Sequence, residues 1–219
     1  MFGSEDVIIQ RLLFFIPLVL SLSVHEWAHA FAAYKLGDDT AKMMGRLTLN
    51  PIVHMDPIGT VLLPLMGVPF GWAKPVPFLP SRLSKASSMK MGSMIVALAG
   101  PISNFVLVAL SLGILFVSVQ LNPTFATDQE ALFMLLFIMI LLNFILALFN
   151  LLPCPPLDGS YIADAFMPEA ARPVWNKIRA NGITVLILVI VIPSFMGVSF
   201  FDYPIEWIQD LVQSIALSG

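Results

Sequence analysis

The chain has 219 residues, of which 58% are hydrophobic and only 11% charged, with a mean hydropathy of +0.89. An ordinary soluble domain carries roughly 25% charged residues, so this composition excludes one and points to an integral membrane protein. A net charge of -3 gives no basic footprint for nucleic acid, and the single cysteine, Cys154, excludes an internal disulfide.

The first eleven residues, MFGSEDVIIQR, lack a basic leader and a small-residue cleavage site, so the apolar run that follows is expected to be a retained span. Leu12 to Ala33 is long enough to cross and contains Pro17, Ser21 and Ser23. It also contains His25-Glu-Trp-Ala-His29. In a helix the i, i+4 spacing puts His25 and His29 on one face, one turn apart, where both imidazoles can hold a single tetrahedral metal. Glu26, about 100° round the helix, can reach a metal-bound water without being a ligand. Ionisable groups at bilayer depth cost roughly 2.5 to 3.5 kcal/mol each on insertion scales, so such a cluster marks a functional site.

Downstream, Ile58 to Phe70 is apolar but short and interrupted by Gly59, Pro64, Gly67 and Pro69, which predicts a re-entrant insertion. The GWAKPVPF stretch at 71–78 alternates apolar residues with prolines that forbid helix. It is expected to be extended, either as an edge that holds an unwound substrate strand or as a rigid connector with Trp72 at the interface. Ser93 to Val119 and Leu132 to Leu152 are two further spans, and Ile183 to Phe201, with Pro193 and Gly197 inside it, is another. The tail places Ile205, Ile208, Leu211, Val212 and Ile215 opposite Glu206, Gln209, Asp210 and Gln213, an amphipathic helix expected at an interface. The fold class is therefore an all-α polytopic membrane protein with about four transmembrane helices, a re-entrant or extended insertion and an amphipathic C-terminal helix. No intervening stretch is long or polar enough for a soluble domain, so residues 1–219 form one membrane-embedded domain.

Positive residues orient the spans. Residues 34–92 hold Lys35, Lys42, Arg46, Lys74, Arg82, Lys85 and Lys90, and 153–182 hold Arg172, Lys177 and Arg179, whereas 120–131 and the tail after Phe201 hold none. Apart from Arg11, the alternation puts both termini outside and the basic connections inside. His25 and His29 then lie in the cytoplasmic half of the first span. The same topology returns Asn150-Leu-Leu-Pro-Cys-Pro-Pro-Leu-Asp158-Gly159 to that side, which makes Asp158 the third-ligand candidate. An isolated Asp-Gly is more often a turn or a helix N-cap. A proline-rich break at a span end, however, usually lines a protein-walled cavity.

With HEWAH in the first span and NLLPCPPLDG at the end of a later one, the chain resembles the site-2 protease family of intramembrane zinc metalloproteases, in its compact branch without inserted soluble domains. GRLTLNPIVHMDPIG at 45–59, GWAKPVPF at 71–78 and AGPISN at 99–104 extend the resemblance over residues from about 20 to 160. It implies one Zn²⁺ per chain held by His25, His29 and Asp158, with Glu26 as general base. Cys154 departs from the family pattern, which commonly has an aliphatic residue there.

Other residues compete for roles. His54 rivals Asp158 as a ligand, but its proline- and glycine-punctuated loop setting favours a hydrogen bond to a turn or a gating role. Asn150 is a candidate oxyanion donor, against an interhelical hydrogen bond. Gly100, Pro101 and Asn104 are read as packing and kink residues, Cys154 as a small buried side chain, and Met43 and Met44 as membrane packing. The expected activity is zinc-dependent endoproteolysis of transmembrane protein or peptide substrates near the cytoplasmic side of the bilayer, in a multi-pass protein of a prokaryotic cytoplasmic membrane. The competing function is a catalytically silent metalloprotein, either a substrate-binding regulator or a metal carrier.

Overall fold

A computed structural model describes residues 4–68, 71–195, 197 and 200–217. Among the described residues, three helices are long and apolar enough to cross a membrane: α1 (Ser4–Lys35), α2 (Met89–Leu121) and α3 (Glu130–Leu151). Their apolar parts have mean hydropathies of 1.4, 2.3 and 3.0. The least apolar is the most enclosed: 56% of the apolar stretch of α1 is buried, compared with 28% and 22% for α2 and α3. The first span can therefore carry polar residues: its polar face meets protein instead of lipid. Between Leu18 and Ala33 it buries Ser21, Ser23, His25, Glu26 and His29, while Leu20 and Phe31 face outward.

The long connection from α1 to α2 is irregular. A π-turn at Pro57–Leu62 and a short helix at Leu63–Leu65 form a helical excursion. It spans about 14 Å at 1.5 Å per residue, half of a roughly 30 Å hydrocarbon core, so it cannot cross. Pro69 and Phe70, where the re-entrant segment was expected to end, lie outside the described residues. The 71–79 stretch is extended, as its prolines require, and makes one antiparallel bridge, Met55 to Ala73.

After α3 come α4 (Gly159–Phe166) and α5 (Arg172–Ala180). The span expected at 183–201 is a helical run in three pieces, Gly182–Leu186, Ile187–Val191 and Ile192–Phe195, and residues 196, 198 and 199 lie outside the described residues. The amphipathic tail is α6 (Asp202–Ala216). Its apolar face is docked on the bundle, with Ile208 and Val212 buried against Val108, Leu115 and Val119 of α2 and Leu136 and Ile140 of α3.

Candidate active site

The i, i+4 spacing on α1 sets His25 and His29 one turn apart, with ring centroids 4.6 Å apart and planes 84° to one another. Their Nε2 atoms lie 3.0 Å apart. Asp158 Oδ2 lies 3.2 Å from the first and 3.3 Å from the second. Asp158 stands at the N-terminus of α4, but its carboxylate makes no capping hydrogen bond. The turn that returns it depends on Gly159, where a Cβ would sit 2.3 Å from the Leu151 and Leu152 carbonyl oxygens. Only a residue without a side chain lets α4 begin this close to the end of α3.

Each histidine has its other nitrogen engaged. His29 Nδ1 is 2.8 Å from the Val96 carbonyl, which can only accept, so Nδ1 carries a hydrogen and the lone pair of the neutral ring is on Nε2. His25 Nδ1 is 2.6 Å from Asn104 Oδ1, with the same consequence. Asp158 Oδ2 is itself buried and accepts no hydrogen bond. Three electron-rich atoms thus face one another in a buried space, an arrangement that is stable around a cation. Donors held about 2.0–2.1 Å from a tetrahedral zinc lie roughly 3.3 Å from each other, so the 3.0–3.3 Å separations fit that ion. Two imidazoles and a carboxylate also match the three-ligand catalytic set, which leaves a fourth position open.

Glu26 is buried beside this group, and its Oε2 accepts the Val76 backbone N–H at 2.7 Å. That donor belongs to the extended 71–79 segment, whose other inward donors are also engaged: Lys74 N–H with the His54 carbonyl at 2.9 Å, and Leu79 N–H with Asp38 Oδ2 at 2.6 Å. Arg46 Nη2 donates to the Lys74 carbonyl at 2.5 Å. The segment is strapped over the C-terminal part of α1, with the carboxylates of Glu26 and Asp38 as two of its anchors.

His54 is placed otherwise. Its Nε2 donates to the Thr48 carbonyl at 2.8 Å, and its Nδ1 faces Arg46 Nη2 at 3.5 Å, so both nitrogens serve the loop. Burial, together with the Arg46 charge, holds its pKa below the ordinary histidine value despite the Thr48 bond, so it is neutral. Asn150 is half-buried and donates Nδ2 to the Leu146 carbonyl of its own helix at 2.9 Å. Cys154 is buried and its thiol pKa is pushed up by that burial, so it stays a thiol.

Two residues read as packing from the sequence touch the histidines. A Cβ on Gly100 would lie 2.4 Å from His29 Nε2 and 2.6 Å from His25 Cε1, so this glycine makes the room in which the rings meet. Asn104, one helical turn on, holds His25. The available signal was their own i, i+4 spacing, which puts Gly100 and Asn104 on one face of α2 as His25 and His29 are on one face of α1.

The model of the family described as "Peptidase family M50" matches residues 119–193, a stretch that contains Asp158. The protein named "Putative zinc metalloprotease YwhC" from Bacillus subtilis is 40% identical over 182 residues, covering 81% of this chain and 80% of that protein. "Putative zinc metalloprotease Rip2" of Mycolicibacterium smegmatis is 27% identical over 195 residues, covering 88% of this chain and 71% of its own length. Its Mycobacterium tuberculosis (strain H37Rv) namesake is 26% identical over 196 residues with the same coverage. No solved structure matches.

Proposed function

The chain belongs to peptidase family M50, the site-2 protease family of zinc metalloproteases, and we propose that it cleaves peptide bonds of membrane-spanning substrates near the cytoplasmic side of the bilayer. The observation that carries this reading is the meeting of the His25 Nε2, His29 Nε2 and Asp158 Oδ2 lone pairs beside buried Glu26, within a bundle of helices apolar enough to span. His25, His29 and Asp158 would hold one Zn²⁺. When bound, the ion polarises the scissile carbonyl and lowers the pKa of the attacking water toward about 7.

Glu26 then takes the water proton and hands it to the leaving amine. Val76 N–H engages one carboxylate oxygen and so fixes the side chain, leaving the other oxygen for the proton. A peptide bond in a helical substrate is shielded by its own hydrogen bonds, so the substrate must unwind before cleavage. Successive peptide groups of extended backbone point to opposite sides. With the 72, 74 and 76 groups engaged inward, the Pro75 and Pro77 carbonyls face away, and the two prolines offer no N–H beside them. This edge would accept hydrogen bonds from an unwound substrate strand. The charge alternation supports a multi-pass protein of the cytoplasmic membrane with the 36–88 connection inside.

The test is cleavage of a single-span substrate reconstituted with the purified protein in liposomes. Mass spectrometry should place the cut within the span or at its cytoplasmic boundary, and a zinc chelator should abolish it. Cutting confined to soluble flanking sequence, or undiminished after the metal is stripped, would refute the proposal.

A further inference from the structure

Binding zinc through Nε2 requires His25 to carry its hydrogen on Nδ1, and the residue facing Nδ1 does not decide this alone. Asn104 could present either its oxygen or its NH₂ to the ring. At His29 the question does not arise, because the Val96 carbonyl can only accept.

The orientation of Asn104 is settled one helix further away. Its Nδ2 donates to Asn143 Oδ1 at 2.7 Å. Asn143 in turn donates Nδ2 to the Met139 carbonyl at 2.8 Å and to Ser21 Oγ at 2.8 Å. The Met139 carbonyl is acceptor-only, so it sets the sense of the whole chain. Turning Asn143 over would set its oxygen against that carbonyl and its NH₂ against the NH₂ of Asn104. Ser21, Asn104 and Asn143 are all 0% exposed, so water cannot repair a reversed bond. The two amides lie on α2 and α3, among strongly apolar neighbours, where a polar side chain is expensive unless fully satisfied.

We propose that Asn143 acts through Asn104 as a positioning relay that locks His25 in its Nδ1–H tautomer and so keeps the Nε2 lone pair turned toward the metal. The proposal rests on His25 being a zinc ligand. A plain interhelical tie would also hold α1, α2 and α3 together, but it makes no demand on which way the amides point. The relay does, because Asn143 controls a ring it does not touch.

Nitrogen-15 NMR of the zinc-free protein with labelled histidine reads the tautomer directly. The wild-type His25 ring should be Nδ1–H; an Nε2–H ring or a mixture overturns the proposal. Asn143→Leu frees the Asn104 amide to turn, so His25 should become a mixture and zinc affinity, measured by chelator competition, should fall about tenfold or more, the usual worth of an outer-shell partner. Asn104→Asp added to Asn143→Leu offers oxygens only, so it should restore the Nδ1–H ring and the affinity. Ser21→Ala removes a tie between helices while leaving the Met139 anchor, and should lower the melting temperature with zinc affinity within twofold. Affinity unchanged in Asn143→Leu, or not restored by the added Asn104→Asp, refutes the relay. His25→Ala separates the two levels: if it retains zinc, the ligand assignment itself fails; if it loses zinc while Asn143→Leu does not, only the relay fails.

Discussion

The two halves of the helix bundle solve opposite problems. Toward one end, α2, α3 and α6 meet through Val108, Leu115, Val119, Leu136, Ile140, Ile208 and Val212, a dry contact with no ionisable side chain. Toward the other, the same α2 and α3 enclose Ser21, His25, Glu26, His29, Asn104 and Asn143, all buried. A buried polar group is tolerated only when its partners are held in place. The dry half supplies contacts that depend on shape alone, and the polar half supplies groups that depend on direction. Damage to the first should therefore appear as lost stability, and damage to the residues of the second that hold or orient a metal donor, His25, His29, Asn104 and Asn143, as lost metal.

The sharpest form of this contrast uses one substitution twice on one helix. Gly100→Ala would drive a methyl into both histidine rings and should remove most of the zinc while the helices remain folded. Gly113→Ala meets nothing within 4 Å and should leave zinc intact, with a gain of about 0.5–1 kcal/mol from helix propensity. Metal content and thermal melting of the two purified variants decide this; equal zinc in both would break the contrast. A smaller effect is expected from Ile140→Ala in the dry half. Lipid keeps the unfolded helices in an apolar medium, so mainly packing is lost, about 1–2 kcal/mol, with zinc per folded molecule unchanged.

The smallest effect concerns the loop that straps segment 71–79. Burial alone would raise the pKa of Asp38, but hydrogen bonds from the Thr40 hydroxyl, the Leu79 N–H and the Thr40 N–H, with Arg82 nearby, hold it below the ordinary carboxylate value. Its contribution is therefore complete above the unfolded value near about 3.9 and fades as pH falls through the lower folded value. Protease nicking near Lys74 should rise in Asp38→Asn at pH 7, while the wild type should resist until the pH is well below 4. Equal resistance of the two proteins at pH 7 would remove Asp38 as an anchor.

Much of this was legible in the sequence. Spacing alone put His25 and His29 on one helical face, and counting spans returned Asp158 to their side. Periodicity marked α6, although it could not say that the apolar face meets α2 and α3. The supporting residues were harder, because a single sequence gives the type of Gly100, Asn104 and Asn143 but not which helix each one faces. Packing and chemistry demand the same small or amide side chains there. His54 shows the converse: its residue type suits a ligand, but the turn around Thr48 and Arg46 engages both ring nitrogens. Pro193 and Gly197 were visible inside the expected span at 183–201, but length and hydropathy could not show that the helical run changes from α to π over Ile187–Val191 and back.

The central claim is a division of labour between three ligands and one base, and zinc per folded chain measures it most directly. Glu26→Gln is isosteric and leaves His25, His29 and Asp158 in place, so it should retain one zinc per chain while turnover falls by about a hundredfold or more. Asp158→Asn replaces a carboxylate donor with a neutral amide oxygen and should lose most of the metal. Full zinc in Asp158→Asn, or zinc lost from Glu26→Gln, would contradict the assignment.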